Sequence, residues 1–357
     1  MDKAHGFSRR RLLGAGAAAA GVAGVALTAG APTRDATEPF YGVHQSGVGT
    51  PPQAYATFIA LDLNRDRANP GTLAAVMKLW TEDASRLTQG RPALADTEPE
   101  LATEPSRLTV TVGWGPELFD VKPLPPFSVD RLQSHWCGGH LLLQVCADSL
   151  LTVSHACRVL TKNVRSMATV RWIQRGYRNR RNLMGQVDGT ANLDNADALD
   201  RYVWDSAGGT TIVLRRIRAE MDAWDKVDRK TKELVVGRAL DTGAPLTGRR
   251  EADEPDFAAQ VNGIKVIPEN AHIALANHRA EGERFLRRPY NYDDTDCGLI
   301  FASYQRDPAT QFVPVQRRLA DADALNPWIT PIGSVVYGIL PGVQQREYLG
   351  QALLGVS

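Results

Sequence analysis

Three side chains of this sequence have the right types for chemistry: Asp188 in "NLMGQVDGTANL", His272 in "NAHIALANHR" and Arg287 in "RFLRRPYNY". Asp188 lies between Val187 and Gly189, with Gly185 opening the same turn. Glycine takes backbone conformations closed to other residues, so the acid rides on a sharply turning loop. A positioned carboxylate can move a proton. A guanidinium can stabilise negative charge as it develops. A histidine in an apolar segment is either a structural residue or a metal ligand, and the sequence around His272 leaves both open. Each signal is weak alone: an Asp-Gly pair marks only a turn, and Arg288 stands beside Arg287. Rival chemistries drop out, because the chain has no GxSxG, HExxH, Walker loop or dinucleotide-binding GxGxxG.

The other histidines are His5, His44, His135, His140, His155 and His278. His155 falls in a predicted helix and reads as a partly buried or surface residue. Of the four cysteines, Cys137, Cys146, Cys157 and Cys297, none forms a CxxC pair or a zinc-type spacing. Cys146 in "LLLQVCA" reads as a small buried hydrophobe. The sequence does not fix any disulfide pairing.

The elements that must hold these residues follow from hydrophobic periodicity. Strands are predicted at 55–63, 108–114, 140–147 and 168–174, where β-branched and aromatic residues concentrate. Helical spacing of Leu73, Val76, Met77, Trp80, Ala84 and Leu87 predicts a helix from Thr72 to Leu87, and a second spans 149–164. The order β-α-β-β-α-β is that of a ferredoxin-like unit. A second set follows: a strand at 209–218, a helix carrying Met221, Trp224 and Leu234, strands at 284–292 and 298–305, a helix near 309–325 and a strand at 334–340. The fold class is therefore α+β, two ferredoxin-like halves with antiparallel sheets, residues 40–195 and 196–357. Two long loops remain, 178–195 and 240–283. The apolar content of "VIPENAHIALAN" argues that the second is ordered.

Composition bounds the partners. A net charge of +1 over 357 residues gives no excess positive charge to bind nucleic acid. Residues 1–31 read as an export signal. Ser8, the arginines 9–11 and Leu12-Leu13 fit the twin-arginine type, and an Ala/Gly-rich run follows that is too weakly apolar for a stable membrane span. Residues 32–39 read as a polar linker. A twin-arginine leader predicts export of an already folded chain through the translocase. It places the mature protein outside the cell, in the periplasm or at the envelope, and hints at a cofactor inserted before export.

Eight motifs in order, "FYGVHQSGV", "VGWGPELFD", "RWIQRGY", "MGQVDGTAN", "AHIALAN", "FLRRPYNY", "FASYQRDP" and "SVVYGILPG", resemble those of the dye-decolourising (DyP-type) haem peroxidases, secreted twin-arginine branch. The resemblance covers nearly all of the mature length. It implies one haem b per chain, enclosed by the two halves, with His272 as the iron's axial ligand. Asp188 and Arg287 are then the catalytic pair on the opposite, peroxide-binding face. Gly189, Thr190 and Ala191 should line the haem from the distal loop, together with Arg287. Asn277, His278 and Arg279 should lie close to it after the ligand, where Arg279 can pair with a propionate. The implied reaction reduces hydrogen peroxide and then draws single electrons from dyes, phenols or other small or macromolecular donors. Tyr290, Tyr292, Tyr304, Trp204 and Trp224 are candidate electron exits if they reach the surface. The alternative function is a haem-binding, iron-acquisition protein of deferrochelatase type, or a haem carrier. Two departures bear on the site: Pro289 stands where the family usually has glycine, and Ala274 where an arginine is common two residues after the ligand histidine.

Overall fold

The computed structural model describes residues 34–64 and 69–355, so the predicted export signal lies outside the described residues. The first half runs β1 (Tyr55–Leu63), α1 (Pro70–Leu87), β2 (Thr109–Trp114), β3 (Leu141–Ala147), α2 (Leu150–Val164) and β4 (Ala168–Tyr177). These bounds lie close to the sequence expectation. Asn69 caps α1 by accepting the Thr72 N–H at 3.0 Å, and Ser149 caps α2 through Thr152, so polar residues just ahead of each apolar stripe start both helices. Both helices pack on the outer face of the sheet. Trp80, fully buried, sits in that layer with Met77, Val153 and Leu160, and its indole donates to the Leu160 carbonyl at 3.0 Å.

After α3 (Ala196–Tyr202), the second half runs β5 (Thr210–Ala219), α4 (Met221–Trp224), α5 (Arg229–Val236), the hairpin β6 (Gln260–Val261) with β7 (Ile264–Lys265), α6 (His272–Ala276), β8 (Leu286–Arg287), β9 (Tyr290–Asp293), β10 (Cys297–Gln305), α7 (Phe312–Ala322) and β11 (Ile329–Ile339). Three expectations change. The helix expected around Trp224 is two short ones, and Asp228 caps the second. The strand expected across 284–292 breaks into β8 and β9 at Arg288-Pro289, because proline cannot supply the ladder N–H. The stretch 240–283 carries α6 and a hairpin rather than only loop.

Strand order is β2-β3-β1-β4 in the first half and β11-β5-β10-β9 in the second, all antiparallel. Each is the 4-1-3-2 order of a ferredoxin-like unit, so the two halves share one topology. Short ladders join them: Gly338 and Ile339 pair with Trp114 and Gly113 on one side, and Tyr177 pairs with Asn291 on the other. The sheets thereby close around an interior that holds Phe58, Leu142, Leu214, Ile300 and four buried tyrosines, Tyr290, Tyr292, Tyr304 and Tyr337.

Burial decides two open readings. Tyr290, Tyr292, Tyr304 and Trp224 are at most 1% exposed, so none offers an electron exit at the surface. Trp204 is 7% exposed, with the His44 imidazole stacked on its ring at 3.9 Å. His155 is buried rather than superficial, and Nε2 donates to Asp96 at 2.9 Å. All four cysteines are free thiols, and burial pushes Cys157 up to about 12. Residues 34–38 pack on the body: the Arg34 and Ala36 carbonyls accept the Ser106 and Arg107 N–H groups. Among the described residues no helix is long and apolar enough to cross a membrane.

Candidate active site

Asp188 owes its place to a narrow hairpin that leaves the end of β4. Arg181 and Val187 form an antiparallel bridge. Asn182 and Gln186 tie the turn, with the Asn182 N–H donating to the Gln186 carbonyl at 2.9 Å and the Gln186 N–H to Asn182 Oδ1 at 3.0 Å. Gly185 turns at φ +88° and Gly189 at φ +94°, which is what the glycine frame of this stretch is for. A side chain at Gly189 would also stand 3.0 Å from Arg178 Nη2. Ala191 takes φ +55° without being glycine, a strained conformation of the kind that gathers at functional loops. The Asp188 N–H donates to the Arg180 carbonyl at 3.0 Å, and no side-chain hydrogen bond ties its carboxylate among the described residues.

Arg287 meets this loop from β8. Its Nη2 donates to the Thr190 carbonyl at 2.7 Å. Asn192 pairs with its backbone in both directions: Oδ1 accepts the Arg287 N–H at 2.9 Å and Nδ2 donates to the Arg287 carbonyl at 2.8 Å. The side chain of Asn192 thus stands in for a neighbouring strand at an unpaired edge. The two adjacent arginines separate. Arg288 turns into the core at 1% exposure and donates to the Thr50 carbonyl and Gln53, while Arg287 stays half-buried at the loop.

His272 opens α6. Its Nδ1–H donates to Asp323 Oδ2 at 2.6 Å, and the Asp323 side chain is 1% exposed. Burial lowers the imidazole's affinity for a proton, but the Asp323 charge and hydrogen bond outweigh that and hold its pKa above the ordinary histidine value. The geometry fixes the tautomer: Nδ1 carries the hydrogen, and Nε2 is left without a hydrogen-bond partner among the described residues. The side chain keeps 33% of its surface accessible. The charge of Arg287 lowers, and that of Asp188 raises, this imidazole's affinity for a proton, so both lie within electrostatic reach of the ring.

Asn277, His278 and Arg279 follow α6 on an exposed turn. Arg318 pins that turn by donating to the Leu275 and Asn277 carbonyls and pairing with Glu283, which in turn accepts the Arg279 N–H at 2.9 Å. Gly189 and Thr190 are half-buried beside Asp188, and Ala191 is exposed.

Among the described residues no group of three or more His, Cys, Asp or Glu side chains could hold a bare ion. One free, oriented imidazole suits an iron whose equatorial positions are filled by a porphyrin.

Comparison with known proteins decides the family. A model of the N-terminal part of Dyp-type peroxidases matches residues 45–178, and one of the C-terminal part matches 179–344. The chain belongs to the Dyp-type peroxidase family. A dye-decolorizing peroxidase of Thermobifida fusca is 39% identical, across 87% of this chain and 83% of that one. A deferrochelatase of Escherichia coli is 36% identical, across 98% of this chain and 97% of that one. The crystal structure of a DyP-type peroxidase from Cellulomonas bogoriensis is 45% identical, with a TM-score of 0.88 over 91% of this chain and 100% of that one. The fold of this Dyp-type peroxidase is thus the family's, and its function is that of a haem-dependent peroxidase that uses hydrogen peroxide and an electron donor.

The sequence reading missed Asp323, Asn192 and Glu251. Asp323 is 51 residues beyond His272, after α7, and no local signal links the two. Asn192 was visible in "TAN" but without a reason to meet Arg287. Glu251 sits in a charged run that reads as a solvated loop.

Proposed function

We propose that this Dyp-type peroxidase binds haem b through His272 Nε2, with Asp188 and Arg287 on the peroxide side. The single observation that carries this reading is the oriented, unpartnered Nε2 of His272, set by Asp323 and within electrostatic reach of Asp188 and Arg287. When bound, the haem supplies the iron that accepts peroxide and stores oxidising equivalents until donors return electrons. Asp323 keeps the hydrogen on Nδ1 and so would present Nε2 as the base that holds the iron. The carboxylate of Asp188, free of side-chain hydrogen bonds, takes the proton from the nearer peroxide oxygen and delivers it to the farther one. Arg287 Nη2 is spent on Thr190, and the rest of its guanidinium stabilises charge on the departing oxygen. Gly189, Thr190, Ala191 and Arg287 border the cofactor on this side. Asn277, His278 and Arg279 border it beyond α6, with Arg279 available to a propionate.

Dyes and phenols are the donors this reading expects. The deferrochelatase relatives favour a second reading, removal of iron from haem. Haem-loaded protein incubated with peroxide and a phenol, with free iron assayed alongside, separates the two. The peroxidase reading expects phenol oxidation over many turnovers with iron retained; iron release without phenol oxidation contradicts it.

We also propose that residues 1–31 direct export by the twin-arginine route, to the periplasm, envelope or medium. The support is the Ser8-Arg9-Arg10-Arg11-Leu12-Leu13 pattern and the expected cofactor. Replacing Arg9 and Arg10 with lysine should leave the protein in the cytoplasm by fractionation; unchanged export would end this reading.

A further inference from the structure

Glu251 belongs to the long loop between α5 and α6, yet it reaches both arms of the distal hairpin. One carboxylate oxygen pairs with Arg180 on the arm that enters the turn. The other accepts the Thr190 hydroxyl at 3.0 Å on the arm that leaves it. Both contacts lead to the reacting pair. The Arg180 carbonyl holds the Asp188 N–H, and the Thr190 carbonyl holds Arg287 Nη2. The chain Arg180–Glu251–Thr190–Arg287 therefore closes across the base of the hairpin, where the Asp188 N–H meets the Arg180 carbonyl.

The loop that presents Glu251 is itself fixed. Arg238, 9% exposed, donates to the Gly243 carbonyl at 2.7 Å and to the Glu251 carbonyl at 3.1 Å. The hydrogen bonds from Arg180 and Thr190, and the charges of Arg180 and Arg238, hold the Glu251 carboxyl below its ordinary value despite partial burial. It is charged wherever the enzyme works near neutrality.

We infer that Glu251 is a positioning residue for peroxide cleavage: it fixes the distance and angle between Asp188 and Arg287 by clamping both arms of the distal hairpin. This rests on the assignment of Asp188 and Arg287 above. Glu251 touches neither peroxide nor iron and acts only through Thr190 and Arg180. Asp188, with no side-chain bond of its own, depends on the backbone that this clamp holds.

The test compares Glu251→Ala and Glu251→Gln with wild type as haem-loaded proteins. The amide oxygen of the glutamine variant can still accept the Thr190 hydroxyl, whereas alanine loses both contacts. Displacement of a reacting group by an ångström can cost about a hundredfold, so the rate of reaction with peroxide should fall at least about tenfold in Glu251→Ala and recover partly in Glu251→Gln. KM for the electron donor should not move, because the role assigned to Glu251 is confined to the peroxide step. Amide hydrogen exchange at Asp188, whose N–H the Arg180 carbonyl holds, should accelerate in the alanine variant, with helices α1 and α2 unchanged. A protected amide with a slowed reaction, or a loosened amide with a normal rate, would overturn the inference. If Glu251→Ala does not fold, exchange in Glu251→Gln decides: wild-type protection with a wild-type rate overturns it. Wild-type enzyme that fails to react with peroxide at all would sink the underlying peroxidase site instead.

Discussion

Arg287→Leu should keep its haem and lose most of its reaction with peroxide. Leucine removes the guanidinium, but the two bonds to Asn192 use the Arg287 main chain, so the strand edge and the loop stay joined. The loss is therefore chiefly electrostatic. Removing one preorganised donor that meets developing negative charge costs roughly 10²–10³ in rate, and the same range is expected here. Stopped-flow absorbance of the haem band after mixing with peroxide measures it. A leucine variant that reacts as fast as wild type would remove Arg287 from the peroxide step and leave Asp188 to act alone.

His272→Ala should have the larger consequence, because it removes the ring nitrogen that Asp323 orients. Loss of a partner that merely orients a ligand costs roughly 10- to 100-fold in metal affinity, so loss of the ligand itself should cost at least about a hundredfold. Asp323 would remain buried at 1% exposure, with the Leu325 N–H as its surviving side-chain contact. That orphaned acceptor adds a stability loss of roughly 1–3 kcal/mol. Added imidazole, which fits the space vacated by the ring and can reach both Asp323 and the iron, should restore part of the haem binding. A variant that binds haem as tightly as wild type, with no response to imidazole, would place the iron elsewhere.

Much of the architecture was legible because it is local. The β-branched and aromatic content of "YATFIALDL" marks a strand, which is buried on both faces, and helical spacing from Leu73 to Leu87 encodes one buried face, which is where that pattern puts it. The repeated β-α-β-β-α-β order emerged the same way. What failed to show was long-range or unpatterned. α6 is five residues long, too short for a hydrophobic period, and the break in "RFLRRPYNY" needs the ladder partner of Pro289 to be known. Tyr290 and Tyr292 of β9 and Tyr304 of β10 carry polar hydroxyls, yet all three lie in the core cluster that the two halves share.

The site divides along the same line. Asp188 was legible because its glycines announce a turn, and those glycines do take positive φ. Arg287 was distinguished from Arg288 only by resemblance; the fold gives the physical reason, since one guanidinium is committed to Thr50 and Gln53 in the core. Asp323 and Glu251 were silent because their partners are 51 residues away in one case and 61 and 71 in the other. Pairing at that range is a property of the closed fold, and no short motif carries it.

The most direct measurement is the visible spectrum of haem-loaded wild type and His272→Ala, each recorded before and after one equivalent of hydrogen peroxide. Wild type should show a ferric haem band typical of histidine ligation that shifts on peroxide and returns when a phenol is added, while the variant shows an altered or absent band and no such cycle. An identical band and an identical peroxide response in the two proteins would contradict the assignment of His272 as the iron ligand.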